Sequence, residues 1–239
     1  MILHRRPARG QLYQYHTYGG WGVQRPEHGT LGRYSPDMTR IQPDGRTVAL
    51  TLRLDRAAYQ LYREAGVAHE QALHNALLCP SFAGRYNTPA HGVWEFDLKA
   101  PATDRVELVA MLWPRDDKVW PTGEVNLLEG RVGTGQTLTN LHWPGPDGTP
   151  QHAPAMIDLD VSQWHRYRVE ILPGRVRWFV DGTVVRTLDT PHAPHDTPVH
   201  MVVQAGVNPA IMSDWHDAFD WEQTILLRPL RAPHGGQLS

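Results

Sequence analysis

Two carboxylates and an amide recur inside a short apolar run, Glu124-Val125-Asn126-Leu127-Leu128-Glu129, entered by Trp120-Pro121-Thr122-Gly123. On a strand, side chains at i, i+2 and i+4 share a face, so Glu124 and Asn126 point together while Glu129, five positions on, points away. One extra residue at Leu127 or Leu128, a β-bulge, returns Glu129 to the same side. Polar groups in such a run are costly to bury unless they serve something. Two carboxylates on one face can divide acid/base and nucleophilic work, and retaining cleavage of a glycosidic bond needs such a pair. Read alone, the same pattern also fits the solvated end of an ordinary strand, so its surroundings decide.

Positioning these groups requires a sheet. Twenty-one Gly, 20 Pro and nine Trp describe short elements separated by hard turns, with aromatic bodies to line a groove or fill a sheet-on-sheet core. Apolar and alternating runs predict strands at Thr47 to Asp55, Gly92 to Lys99, Arg105 to Trp113, Glu124 to Glu129, Thr137 to Trp143, Trp164 to Leu172, Arg175 to Val180, Thr183 to Leu188, Val199 to Val207 and Asp220 to Leu227. Asp55 to Leu78 reads instead as one or two short helices. There Ala58, Leu61, Tyr62 and Ala65, then Ala68, Ala72, Leu73 and Ala76, recur at helical spacing on either side of Gly66. Asp181-Gly182 between two alternating runs signals a type I′ hairpin. The expected fold class is all-β, a two-sheet antiparallel β-sandwich with a short helical insertion. It is expected to form one domain over 1–230, followed by a flexible Pro/Gly-rich tail over 231–239.

Composition narrows the function. A formal charge of −2 and pI near 6.7 offer no basic patch for phosphate neutralisation, so no nucleic-acid partner is expected. The single cysteine, Cys79, excludes an intrachain disulfide and reads as a small core hydrophobe. No 18-residue apolar run is present, so no membrane-spanning helix is expected. Met1-Ile-Leu-His-Arg-Arg lacks the apolar stretch of a secretory signal, which leaves the compartment undetermined. His192, His195 and His200 with Asp189 and Asp196 fit no zinc spacing and read as a solvated loop.

Taken in order, these segments resemble glycoside hydrolase family 16, the laminarinase- and lichenase-like group built on a concanavalin A-like jelly roll. The hallmark of its bulged branch, Glu-x-Asp-x-x-Glu after Trp-Pro and Gly, is here Trp120-Pro121-Thr122-Gly123-Glu124-Val125-Asn126-Leu127-Leu128-Glu129. Gly92 to Phe96, Leu108 to Pro114, Leu141-His142-Trp143, Trp164 to Glu170, Arg177 to Gly182, Pro198 to Gln204 and Phe219-Asp220-Trp221 are similar to the family's other strands. The likeness spans about residues 30–228. It departs at Asn126, where the family has Asp.

The resemblance implies an endo-acting retaining hydrolase of a β-linked polysaccharide, with β-1,3-glucan preferred. Glu124 would be the nucleophile and Glu129 the acid/base, which must lean together although their Cα atoms lie roughly 13 Å apart along a strand. Asn126 would hold Glu124 without adding negative charge, so slower or acid-shifted turnover is expected. Trp120 and Trp113 would stack on sugar, with His142 and Gln204 as further substrate contacts; Trp164, Trp178 and Trp221 would be core. No cofactor is required by this reading. A structural calcium is implied at Asp220, a secreted location is the family expectation, and a monomer is expected. Two alternatives from other classes are a non-catalytic carbohydrate-binding jelly roll that keeps the groove and a sandwich domain serving a larger assembly.

Overall fold

The computed structural model describes residues 36–66, 72–78, 89–207 and 222–231, with short strands at 14–15, 23–24, 32–34 and 80–81. In chain order the strands are β1 (Gln14–Tyr15), β2 (Val23–Gln24), β3 (Gly32–Tyr34), β4 (Thr39–Ile41), β5 (Val48–Leu54), β6 (Leu73–Leu78), β7 (Pro80–Ser81), β8 (Gly92–Lys99), β9 (Val106–Pro114), β10 (Val125–Arg131), β11 (Gln136–Pro144), β12 (Pro150–His152), β13 (Ala155–Asp158), β14 (His165–Leu172), β15 (Arg175–Val180), β16 (Thr183–Asp189), β17 (Val199–Val207) and β18 (Glu222–Arg231). One layer runs β11-β10-β9-β17-β6, and the other runs β5-β18-β8-β14-β15-β16. Strand β6 pairs with both β17 and β5 and so joins the layers at one edge. Pairing is antiparallel throughout the described ladders except between β3 and β6. The result is a jelly-roll β-sandwich, as the residues predict.

Period-two alternation builds the core. Leu108, Ala110 and Leu112 of β9 and Val199, Met201 and Val203 of β17 face Trp94, Phe96 and Leu98 of β8 and Tyr167, Val169 and Ile171 of β14, all buried in one cluster. Truncating a fully buried aromatic such as Trp94 or Trp178 in so close-packed a core costs roughly 3–5 kcal/mol. The expected hairpin closes at Asp181 and Gly182, with φ of 50° and 79°, and pairs Val180 with Thr183. Both positive φ values are what a two-residue I′ turn requires.

The helical insertion is half of what its periodicity suggests. Helix α1 (Arg56–Glu64) is capped by Asp55, whose side chain accepts from the Ala58 N–H, and it buries Tyr59. Leu61, placed by spacing on the packed face, is 64% exposed. Residues 73–78 are strand β6, not a second helix, because the segment pairs with β5 on one side and β17 on the other, with Leu73 buried. A segment this short fits either period, and pairing with β5 and β17 decides it. Short strands β4, β12 and β13, with only three or four residues each, carry too little alternation to be read from sequence. Trp164 is half-buried, not core, and lies under Arg228 at 4.1 Å. Arg231, the first residue of the 231–239 tail, ends strand β18; Cys79, Asp220, Trp221 and residues 232–239 lie outside the described residues. Among those described, no helix is long and apolar enough to cross a membrane.

Candidate active site

Strand β10 carries the bulge that the Glu-x-Asn-x-x-Glu spacing demands. Asn126 pairs with Met111 on β9, but the next partner, Ala110, meets Leu128, so Leu127 is the extra residue. On the other side Asn126 pairs with Asn140 and Glu129 with Leu138 across the same irregularity. Val125, Leu127 and Leu128 all join the main core, which leaves Glu124, Asn126 and Glu129 on the opposite face. Apolar demand at two adjacent positions therefore drives the bulge, and the bulge turns Glu129.

Ladder partners share a face, so the register also says what surrounds the triad. One row reads Val202, Met111, Asn126 and Asn140; another reads Gln204, Val109, Glu129, Leu138 and Met156. Met111 and Val202 form a small apolar cluster of their own with Val109 and Trp113, separate from the sandwich core. Gln204 thus lies two strands from Glu129 on the same side. Glu124 receives the β11 backbone: the His142 N–H donates to its carbonyl at 3.0 Å.

The side chains close on one another through Asn126. Its Nδ2 donates to Glu124 Oε1 at 3.2 Å and to Glu129 Oε2 at 2.8 Å. These two carboxylate oxygens therefore lie no more than about 6 Å apart. Glu124 is 8% exposed and Asn126 1%, so this is a largely dry contact in which hydrogen bonds to charge are strong. The Asn126 Oδ1 atom is buried and has no protein partner.

Glu124 has further donors. Trp120 Nε1 donates to its Oε2 at 2.5 Å, and His142 Nε2 stands 3.4 Å from its Oε1. Asn140, on the same face two residues before His142, has its amide nitrogen 2.9 Å from that same Nε2 and its oxygen unpartnered. Turning the Asn140 amide places its oxygen against an Nε2–H of His142, and that N–H also faces the Glu124 carboxylate. His152 meets His142 edge-on at 5.6 Å between ring centroids. Trp113 and Trp120 stack at 6.4 Å and 22°, and Trp113 is pinned by Nε1–H to Asp117 Oδ1 at 2.8 Å. Trp120 remains 41% exposed, so one indole both holds a carboxylate and presents an open ring.

Each residue that the sequence singled out on β9, β10, β11 and β17 falls on this face. Asn140, His152 and the Met111–Val202 floor were missed. Period-two counting back from His142 finds Asn140, whereas His152 arrives through the Pro150–His152 strand that sequence did not disclose. Among the described residues no three His, Cys, Asp or Glu gather as a metal site, and His192 instead stacks on Trp143 at 5.0 Å.

Gly123 delivers the chain to Glu124. Its φ is +94°, and a Cβ there would sit 3.1 to 3.2 Å from Thr197, Pro114 and Val199 side chains. Gly123→Ala is expected to destabilise the fold by roughly 1–3 kcal/mol, from left-handed strain with no room for relief. Urea unfolding checks it; an unchanged midpoint would contradict the reading.

A model of glycosyl hydrolases family 16 matches residues 45–224. The chain belongs to this family. That span holds every residue of the site just described. Among solved structures of similar fold, LamAcat from Zobellia galactanivorans is 16% identical with TM-score 0.64, over 91% of this chain and 90% of that one. The laminarinase from Rhodothermus marinus is 19% identical with TM-score 0.61, over 92% and 90%. The Bacteroides ovatus mixed linkage glucan GH16 in complex with a G4G4G3G product is 14% identical with TM-score 0.64, over 92% and 94%. At these identities the likeness is one of fold. No curated protein sequence matches the chain.

Proposed function

We propose that this family 16 chain is an endo-acting retaining hydrolase of a β-linked glucan, β-1,3-linked by preference, with Glu124 as nucleophile and Glu129 as acid/base. One observation carries the reading: a single amide nitrogen, Asn126 Nδ2, lies within hydrogen-bonding distance of both carboxylates. The resulting limit of about 6 Å between the bonded oxygens is compatible with direct attack, for which carboxyls stand about 5–5.5 Å apart, a spacing that inverting enzymes widen to about 6.5–9.5 Å. The fold neighbours include laminarinases and a mixed linkage glucan protein, which supports the glucan preference.

In the first step Glu124 attacks the anomeric carbon and the glycosidic C–O bond breaks, with the proton of Glu129 passing to the departing oxygen. In the second step Glu129, now the carboxylate, takes a proton from water. That water attacks the glycosyl ester and releases Glu124. Donors from Trp120 and Asn126 spread the charge of Glu124 and fix its rotamer, so little reorganisation is needed at the moment of attack. The exposed ring of Trp120, backed by Trp113, offers a stacking surface beside the nucleophile. His142 and Gln204 flank the pair along the sheet and supply hydrogen bonds to sugar hydroxyls. The test is reducing-end release from a panel of β-glucans, lost in Glu124→Gln. Binding without release, indifferent to that change, would support a carbohydrate-binding module instead.

Asn126 gives a pH prediction. The amide donates to both carboxylates without contributing charge, whereas Asp could bridge them only by keeping a proton among three acids. Asn126→Asp is therefore expected to move the alkaline limb of kcat/KM to higher pH and to raise neutral-pH turnover. A pH–rate profile with an unmoved limb and equal or lower activity would defeat the charge argument.

A further inference from the structure

A bulge leaves backbone groups that the ladder does not satisfy, and buried ones need another partner. The carbonyl of Asn126 finds its partner across the sandwich. Trp178 of β15, 1% exposed, donates its indole Nε1–H to Asn126 O at 3.0 Å. Arg186 of β16 lies on that same indole, its Cζ 4.6 Å from the ring centroid. Its guanidinium NH1 reaches Thr139 O at 3.0 Å and Thr139 Oγ1 at 3.1 Å, and NH2 reaches Ala153 O at 2.7 Å. Thr139 stands between Leu138 and Asn140, the partners of Glu129 and Asn126, and so lies opposite the bulge.

We propose that the stacked pair Trp178 and Arg186 is a positioning brace that locks the β10 bulge from the core side and thereby sets the reach between Glu124 and Glu129. The inference rests on the roles proposed above for those two carboxylates. Trp178 is buried away from the site face and acts through the backbone that it holds. Arg186 needs its planar fork, since its face must stack on the indole while NH1 and NH2 at its edge bond separate carbonyls, which an ammonium cannot imitate. Glu129 lies beyond the bulge and Glu124 before it, so loosening the bulge displaces the acid relative to the nucleophile. Misplacement of a reacting group by about 1 Å can cost 10²-fold in rate.

Trp178→Phe keeps an aromatic face under the guanidinium but removes the N–H, and Arg186→Lys and Arg186→Met loosen the other side. Each is assayed on a β-1,3-glucan, whose alkoxide leaving group needs a proton, and on a dinitrophenyl β-oligoglucoside, whose leaving group does not. The brace predicts a loss of roughly ten- to a hundredfold in kcat/KM on the glucan with little change on the aryl substrate, and a smaller loss for Arg186→Lys than for Arg186→Met. With rates expressed per folded molecule, so that loss of folded protein drops out, equal losses on the two substrates or no loss overturn the proposal. Glu129→Gln serves as the control. If it shows no split between the substrates, the assignment of Glu129 has failed, and hydrogen exchange of the Val125–Arg131 amides then decides the brace by itself. Faster exchange confined to β10 and β11 in Trp178→Phe supports it; unchanged exchange there overturns it.

Discussion

Glu124→Gln is expected to abolish sugar release, by roughly 10⁴-fold or more, because removal of a group that reacts covalently cannot be offset by binding contacts elsewhere in the site. The substitution is nearly isosteric. Trp120 Nε1–H can still reach the amide oxygen, and the core beneath, built by Val125, Leu127 and Leu128, is untouched. Stability should consequently change little, and glucan binding should persist. A calorimetric titration against an oligosaccharide, run beside the reducing-end assay, separates lost chemistry from lost fold. Residual turnover within tenfold of the parent would place the nucleophile elsewhere.

Glu129→Gln should behave differently. Loss of a general acid costs about 10²–10⁴-fold where the leaving group is a sugar alkoxide, yet a dinitrophenolate departs without a proton. Attack by Glu124 then proceeds, and the glycosyl-enzyme accumulates because no base activates water. A burst of dinitrophenolate followed by a slow phase is the expected trace. Added azide, which needs no base, should speed the slow phase and yield a glycosyl azide. A uniform loss on both substrates, with no burst and no azide effect, would remove Glu129 from the acid/base role.

The contrast between these two outcomes depends on the bulge, and the bulge was legible before any coordinates. Glu129 sits at the wrong parity from Glu124, and Leu127-Leu128 asks for two consecutive inward positions; together these require one extra residue there. The Asp181-Gly182 turn and the strands at Gly92 to Lys99, Arg175 to Val180 and Val199 to Val207 were equally readable, because alternation and turn chemistry act locally. Residues 73–78 were not, since six residues with His74 and Asn75 among Leu and Ala have no clear period to discriminate, and the segment took its form from β5 and β17. What holds the bulge was also hidden. Trp178 and Asn126 are 52 residues apart and meet only across the two sheets. The sequence marks Trp178 as core but says nothing of where its N–H goes. Asn126 looked like a lone departure in the middle of the triad. In the fold it is the group through which both carboxylates are held, which makes it a neutral clamp with a spare buried oxygen.

The proposed reaction is a double displacement at a β-linkage by two carboxylates bridged by one amide nitrogen. Proton NMR of the anomeric signals during the first minutes of β-1,3-glucan hydrolysis tests it most directly. Two inversions at one carbon give net retention, so the β-anomer of the new reducing end should appear first and the α-anomer only later, by mutarotation. An α-anomer that appears first would require a single displacement by water, and the geometry described here would then be doing something else.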